Sequence, residues 1–343
     1  MPVTDRPVVV TGASGFVGSQ IVRELLDHGY RVRGTVRSPD RVRGEGHLTA
    51  LAGSDRLDLV AADLSQPGSF DPVMNGIEHV IHTASPYVVS VDDPQRDLVD
   101  PALNGTRSVL EAAARSGSVR RIVVTSSFAA VTDEPEGRFD ETNWNETSSL
   151  RRNPYYYAKT LAERAAWDFA ASHNTIRVIS INPTLVIGPS LVPSLNESNG
   201  VLAGYTTGQY PGILSLRYGL VDVRDVAMAH RLAIETEGAS GRYLCTAGVW
   251  SMRQIVEVAR ASNLNLARLP SIPLDNAVGD LLVKAASAFQ HPGARSYLRT
   301  NIGRSFEINT SKIRSELNMT FRPVEAAIVE TYVDLRRWGH ITA

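Results

Sequence analysis

A phenol and an ammonium stand four residues apart in the run NPYYYAKTLAERAAW at 153–167, as Tyr155 and Lys159. On a helix that spacing puts both side chains on one face. Three tyrosines are consecutive, but Tyr156 and Tyr157 are followed four residues on by Thr160 and Leu161, so only Tyr155 is matched with a lysine. A free phenol, with a pKa of about 10, is a poor acid or base near neutrality. A neighbouring ammonium stabilises the phenolate and draws the group toward a working range. It can also hold the hydroxyls of a ribose. Taken alone, the pair has a plainer reading: Lys159 also has Glu163 four residues on, the spacing of an ordinary helical ion pair. A second candidate is the hydroxyl pair Ser126-Ser127, which follows the apolar run 121–125. A hydroxyl there can donate to a carbonyl oxygen as negative charge builds on it. The third is Gly12, Gly15 and Gly18 in VVVTGASGFVGSQIV at 8–22, a GxxGxxG spacing.

These residues need elements to hold them. Val8 to Val10 read as a buried strand, and Phe16, Val17, Ile21, Val22, Leu25 and Leu26 fall at helical spacing. Strand, glycine turn and helix together set a helix N-terminus against a pyrophosphate. Further strands are predicted at 30–36, 57–61, 79–83, 121–125 and 176–181, with the clearest helices at 98–116 and 154–172. Strands alternating with helices predict an α/β chain with a Rossmann-type doubly wound parallel sheet. Ligands of such sheets lie beyond the carboxyl ends of the strands, and every candidate above sits there or on the helix that follows. From Thr184 onward the alternation stops, and Gly, Pro and Ser punctuate 188–219. The segments 219–233 and 241–245 read as a strand–helix–strand return, and 251–262 and 308–317 as further helices. The expected division is a dinucleotide-binding domain over 1–183, rejoined by 219–247, with 184–218 and 248–343 mainly binding substrate.

The 343 residues carry 35 basic and 36 acidic side chains, a formal net charge of −1, so nothing points to nucleic acid or a membrane surface. No apolar run approaches the roughly 20 residues needed to span a bilayer. The N-terminus lacks the pattern of a signal peptide, and a cytoplasmic location is expected. A single cysteine, Cys245, allows no intrachain disulfide; in RYLCTAG it reads as a small buried hydrophobe. No metal site is expected.

The motifs in order are VTGASGFVG at 10–18, HTASP at 82–86, NG at 104–105 and VVTSSFAAV at 123–131. FDETNW at 139–144, YYYAK at 155–159, NPTLVIGP at 182–189 and VDVRDVAMAH at 221–230 follow. On these the chain resembles the extended short-chain dehydrogenase/reductase family, and within it the dihydroflavonol reductase-like branch of NADPH-dependent carbonyl reductases. The resemblance implies Ser127 as the catalytic serine, Tyr155 as proton donor and Lys159 as its partner. It implies a cofactor lined by the glycine loop with Phe16 and Val17, by Thr83, Ala84 and Ser85, and by Asp63 and Leu64 at the adenine. Pro183, Thr184 and Val186 match the segment against the nicotinamide. An N-cap is the plain alternative for Asp63, and His82 reads as a packed strand residue. The family's asparagine three residues before the helix glycine is replaced here by Ala102, and Asn104 is not its equivalent.

An acid at the end of the second strand would mark NAD. The run VRGTVRSPDRVR has none there; Arg37 stands where a guanidinium can meet a 2′-phosphate, with Arg41 or Arg43 adding to it. The expected cofactor is therefore NADP, and the expected reaction is reduction of a small-molecule carbonyl by a monomer or homodimer. The alternatives are a nucleotide-sugar epimerase or dehydratase of the same family and a non-catalytic NADP-sensing protein. Tyr87, Val88, Phe128, Tyr205 and Tyr210 are candidates either for an apolar substrate pocket or for ordinary packing.

Overall fold

The computed structural model describes residues 6–85, 92–289 and 292–342. Pro86, Tyr87 and Val88 lie outside the described residues. Seven strands form the central sheet, in the spatial order Gly241–Cys245, Arg177–Pro183, Arg121–Thr125, His79–His82, Val8–Thr11, Val32–Val36, Leu57–Ala61. Every pairing is parallel. Parallel strands are covered on both faces, which is why VVVT and RIVVT are near-continuous β-branched runs rather than alternating ones.

Helix Phe16–Asp27 packs on Val223–Glu235 across one face, through Ile21, Val22 and Leu25 with Val226, Ala229 and Ala233. Asp100–Ser116 and Pro154–Ser172 cover the other, through Val109, Leu110 and Ala113 with Ala166 and Phe169. The chain runs outward from Val8–Thr11 to Leu57–Ala61, then crosses back to His79–His82 to build the other half. The crevice at this reversal lies between the strands that end at Thr11 and His82.

The strand Arg217–Asp222 does not join this sheet. It pairs parallel with Leu185–Ile187 and antiparallel with Gly248–Ser251 in a separate three-stranded sheet. The helix that follows it lies on the large sheet, and Gly241–Cys245 becomes that sheet's edge. A second apolar core, with Leu202, Leu220, Met252, Ile255, Ile328 and Tyr332, forms around the small sheet. Ser251 and Gln254 close a reciprocal capping box at the start of Met252–Ala261. Cys245 is buried, and burial pushes its thiol well up, so it is no nucleophile. Among the described residues no helix is long and apolar enough to cross a membrane, and no group of His, Cys, Asp and Glu could hold a metal.

Candidate active site

A cleft of about 2280 Å³ runs along the carboxyl ends of the sheet strands and is walled on its far side by residues of the second core region. The catalytic residues and the main cofactor residues read from the sequence all line it. From the first half come Gly12, Gly15, Phe16, Val17, Gly18, Arg37, Asp63, Leu64, Thr83, Ala84 and Ser85. The second half supplies Ser127, Tyr155, Lys159, Pro183, Thr184 and Val186.

The glycine loop divides its work. Gly12 has φ +65°, and a Cβ there would lie 3.0 Å from the Ala84 Cα, so only glycine allows the two strand ends to close. A Cβ on Gly18 would fall 2.1 Å from the Gly12 carbonyl oxygen, so helix and loop pack with no room for a side chain. At Gly15 nothing but the Gly12 oxygen, at 3.4 Å, comes near, and the helix Phe16–Asp27 begins at the next residue. That leaves open backbone at a helix N-terminus, the geometry a pyrophosphate takes.

Thr11 latches the facing loop. Its Oγ1 accepts the N–H groups of Thr83 and Ala84, both at 3.1 Å, and lies 2.8 Å from Nδ1 of His82. With both lone pairs engaged, the Thr11 hydroxyl donates to Nδ1, which leaves the imidazole proton on Nε2. Burial, helped by the charge of Lys159, holds His82 down at about 3, so the ring is neutral and structural.

At the end of the second strand Arg37 is exposed and, among the described residues, makes no hydrogen bond or ion pair. Arg41 and Arg43 do not join it. Arg41 pairs with Glu45 at 3.7 Å, while Arg43 pairs with Asp40 at 3.0 Å and donates to the Leu59 carbonyl. Asp63 caps no helix; it closes a turn by accepting the Ser65 N–H at 2.9 Å and its hydroxyl at 2.8 Å. Those two bonds, and more weakly the charge of Arg37, hold its carboxyl below the usual range.

Helix Pro154–Ser172 carries the phenol and the ammonium. Lys159 Nζ lies 5.9 Å from the centre of the Tyr155 ring and donates to Ser85 Oγ at 3.0 Å. Glu163 is not its ion-pair partner. That carboxylate is turned away into a buried network, accepting from Ser126 Oγ (2.5 Å), Asn182 Nδ2 (2.7 Å), Ser180 Oγ (2.8 Å) and Arg242 Nε (2.7 Å). Burial drives Lys159 down to about 8, and the charge of Glu163 works against that fall.

The same network separates the two serines. Ser126 is buried and spends its proton on Glu163. Ser127 begins the short turn Phe128–Ala130, where its Oγ accepts the Ala129 N–H at 3.1 Å. Its proton is left for a ligand in the cleft. Asn182 donates to the Ser127 carbonyl at 3.2 Å and so ties that residue back to Glu163.

Phe128 and Tyr210 line the cleft, whereas Tyr205 is fully buried, edge-on to Tyr210 at 5.0 Å, and belongs to the core. Asn104 lines the cleft although its sequence position does not match the family's asparagine. A π-helical turn, Gln95–Val99, leads into Asp100–Ser116. Sequence reasoning missed Asn301, Arg304 and Phe306, which reach the cleft from the last third of the chain. The strand Ser305–Ile308 pairs parallel with Glu136–Phe139 and carries Phe306 in, with Arg304 just ahead of it and Asn301 at the end of the preceding helix. A two-residue alternation in SFEI is too short to announce such a pairing.

Residues 8–246 match the NAD dependent epimerase/dehydratase family. A cinnamoyl-CoA reductase of Medicago truncatula is 37% identical over 339 residues, covering 96% of this chain and 95% of that protein. A bifunctional dihydroflavonol 4-reductase/flavanone 4-reductase of Malus domestica is 37% identical over 263 residues, 74% of this chain and 75% of that protein. Among solved structures, yeast methylglyoxal/isovaleraldehyde reductase complexed with NADPH superposes with a TM-score of 0.81 at 26% identity, covering 98% of this chain and 100% of that one. The chain therefore belongs to the NAD-dependent epimerase/dehydratase family, as an extended short-chain dehydrogenase/reductase of the dihydroflavonol reductase-like branch.

Proposed function

We propose that the protein is an NADPH-dependent reductase that converts an aldehyde or ketone to an alcohol. The observation that carries this is the meeting of Ser127, Tyr155 and Lys159 in the same cleft as the open glycine loop. The residues present fit NADP: backbone at Gly15 for the pyrophosphate, Arg37 for the 2′-phosphate, Asp63 and Leu64 at the adenine, Pro183, Thr184 and Val186 at the nicotinamide. Bound NADPH supplies a hydride to the carbonyl carbon. Ser127 donates to the carbonyl oxygen, and Tyr155 gives that oxygen its proton. Lys159 stabilises the phenolate that remains and holds the ribose. The segments 184–218 and 248–343 provide the substrate side. The isomerase alternative is disfavoured by the free Arg37 and by the lack of an acid beside it. Steady NADPH oxidation with a panel of aldehydes and ketones tests the assignment; no consumption with any of them would refute it.

Two measurements probe the cofactor side. Arg37→Ala raises the KM for NADPH about ten- to hundredfold, the loss of one charge-assisted contact, and leaves the KM for NADH nearly unchanged. Equal effects on both cofactors would remove the 2′-phosphate assignment. The second concerns pH. Lys159 keeps its proton below about 8 and loses it above. Since kcat/KM for NADPH reports the free enzyme, it falls as pH rises through about 8. A flat profile from pH 7 to about 9 would disconnect Lys159 from cofactor capture.

A further inference from the structure

Arg304 is 4% exposed yet lines the cleft. Its Nε donates to the Glu134 carbonyl at 2.8 Å and its Nη1 to Asn301 Oδ1 at 3.4 Å, while Nη2 has no hydrogen-bond partner. Among the described residues no carboxylate lies within ion-pair distance of it. Taking a guanidinium out of water is costly unless a counter-charge meets it. Its planar fork is matched to a carboxylate by two parallel hydrogen bonds.

The surroundings say where the counter-charge would come from. Arg304 lies over the Phe306 ring at 4.7 Å, and Phe306 stacks on Phe128 at 5.8 Å. Phe128 directly follows Ser127, so an aromatic plate leads from the reacting hydroxyl to the guanidinium. Tyr156, next to Tyr155, sits against Arg304 in the same wall; burial pushes its phenol up, which keeps it a hydrogen-bond donor. Gly303 N–H bonds to the Ser215 carbonyl at 2.9 Å, and this holds Arg304 beside the strand that begins at Arg217. Arg217 is exposed on the cleft wall and makes no ion pair among the described residues.

We propose that Arg304, with Tyr156 beside it and Arg217 nearer the mouth, binds a carboxylate on the substrate, so that the enzyme's substrates are oxo-acids with an apolar spacer between the acid and the reacting carbonyl. This rests on the reductase reading above. The carbonyl takes up a hydride at carbon and a proton at oxygen, NADPH is oxidised to NADP+, and the carboxylate passes through unchanged. Its work is to orient the carbonyl toward Ser127 and Tyr155.

The test is a series of formyl carboxylates with aliphatic and aryl spacers, each compared with its own methyl ester. For the best spacer, kcat/KM for the acid exceeds that for the ester about ten- to hundredfold, the range of one charge-assisted contact. Arg304→Met brings that ratio down to about one, Arg304→Lys restores part of it, and Arg217→Ala lowers it severalfold. NADPH binding and thermal melts verify that each variant is folded. Should Arg304→Met not fold, the wild-type ratio and the Arg217→Ala variant still decide. Parity of acid and ester across the whole series, or an unchanged ratio in folded Arg304→Met, overturns the proposal. Failure to reduce any acid or ester would count against the reductase reading instead. In that case calorimetric titration of the NADP+-loaded protein with terephthalate still tests the anchor: saturable binding lost in Arg304→Met supports it, and no binding overturns it.

Discussion

Replacing Tyr155 by Phe lowers kcat by about two to four orders of magnitude, the usual worth of a positioned acid or base, and leaves the Kd for NADPH almost unchanged. The phenylalanine ring keeps the volume and the aromatic face against Lys159, whose Nζ lies 5.9 Å from the ring centre. The ammonium keeps its bond to Ser85 as well, so the cofactor side of the cleft is undisturbed. What disappears is the proton that the mechanism proposed above delivers to the carbonyl oxygen. Tyr156 cannot replace it. Its phenol lies against Arg304, and burial pushes it up, away from any useful acidity. Single-turnover reduction with saturating NADPH measures the effect directly. A rate within about threefold of the wild type would place the acid elsewhere and end the mechanism proposed above.

Glu163→Gln has two consequences, one for stability and one for the pH profile. The carboxylate accepts from Ser126, Asn182, Ser180 and Arg242, with Trp167 Nε1 at 3.3 Å, and it is fully buried. An amide of the same shape turns an NH2 group toward donors and leaves Arg242 buried without its counter-charge. Removing one member of such a pair costs about 3–5 kcal/mol. Arg242 keeps its bonds to the carbonyls of Ala130, Glu141 and Asn143 and its place over the Trp144 ring at 4.0 Å, so the fold survives at reduced stability. Denaturant unfolding reads this loss.

The second consequence separates a positioning role from a merely structural one. Lys159 faces Ser85, the Tyr155 ring, the neutral His82 and, one turn on, the charge of Glu163. Glu163 is the one that opposes the downward pull of burial on the ammonium. In Glu163→Gln the alkaline limb of kcat/KM for NADPH therefore moves below its wild-type position near pH 8. Ser126→Ala supplies the control. It removes the direct bond from the serine segment to the carboxylate, leaves the tie through Asn182 and keeps the charge, so stability falls while the limb stays in place. An unmoved limb in Glu163→Gln would show that the carboxylate only packs.

The parts of the fold that were legible share a physical cause. Arg121–Thr125 and Gly241–Cys245 are strands with the bounds their sequence runs suggest, because parallel strands buried on both faces need no alternation. Leu57–Ala61 has its expected bounds too, although as the sheet's edge it buries only Leu59. Helix Pro154–Ser172 is likewise legible, opened by a proline that suits a first helical turn. The three-stranded sheet was not. Leu185–Ile187 is three residues long, and Arg217–Asp222 finds its partners about 30 residues away on either side. Short strands whose partners are distant leave little local signal.

Chain order and residue type alone determined the glycine loop, the Tyr155–Lys159 register and the basic rather than acidic end of the second strand, because each depends on neighbours within one turn or one strand. Tertiary structure decided the rest. It turned Ser126 to Glu163 and Ser127 to the cleft, drew Arg43 to the Leu59 carbonyl while leaving Arg37 free, and carried Arg304 and Phe306 from the far end of the chain to the wall beside Ser127. A hydroxyl's partner, like a guanidinium's, is settled by whichever buried group packing brings within 3 Å or so, and that distance is a property of the folded chain.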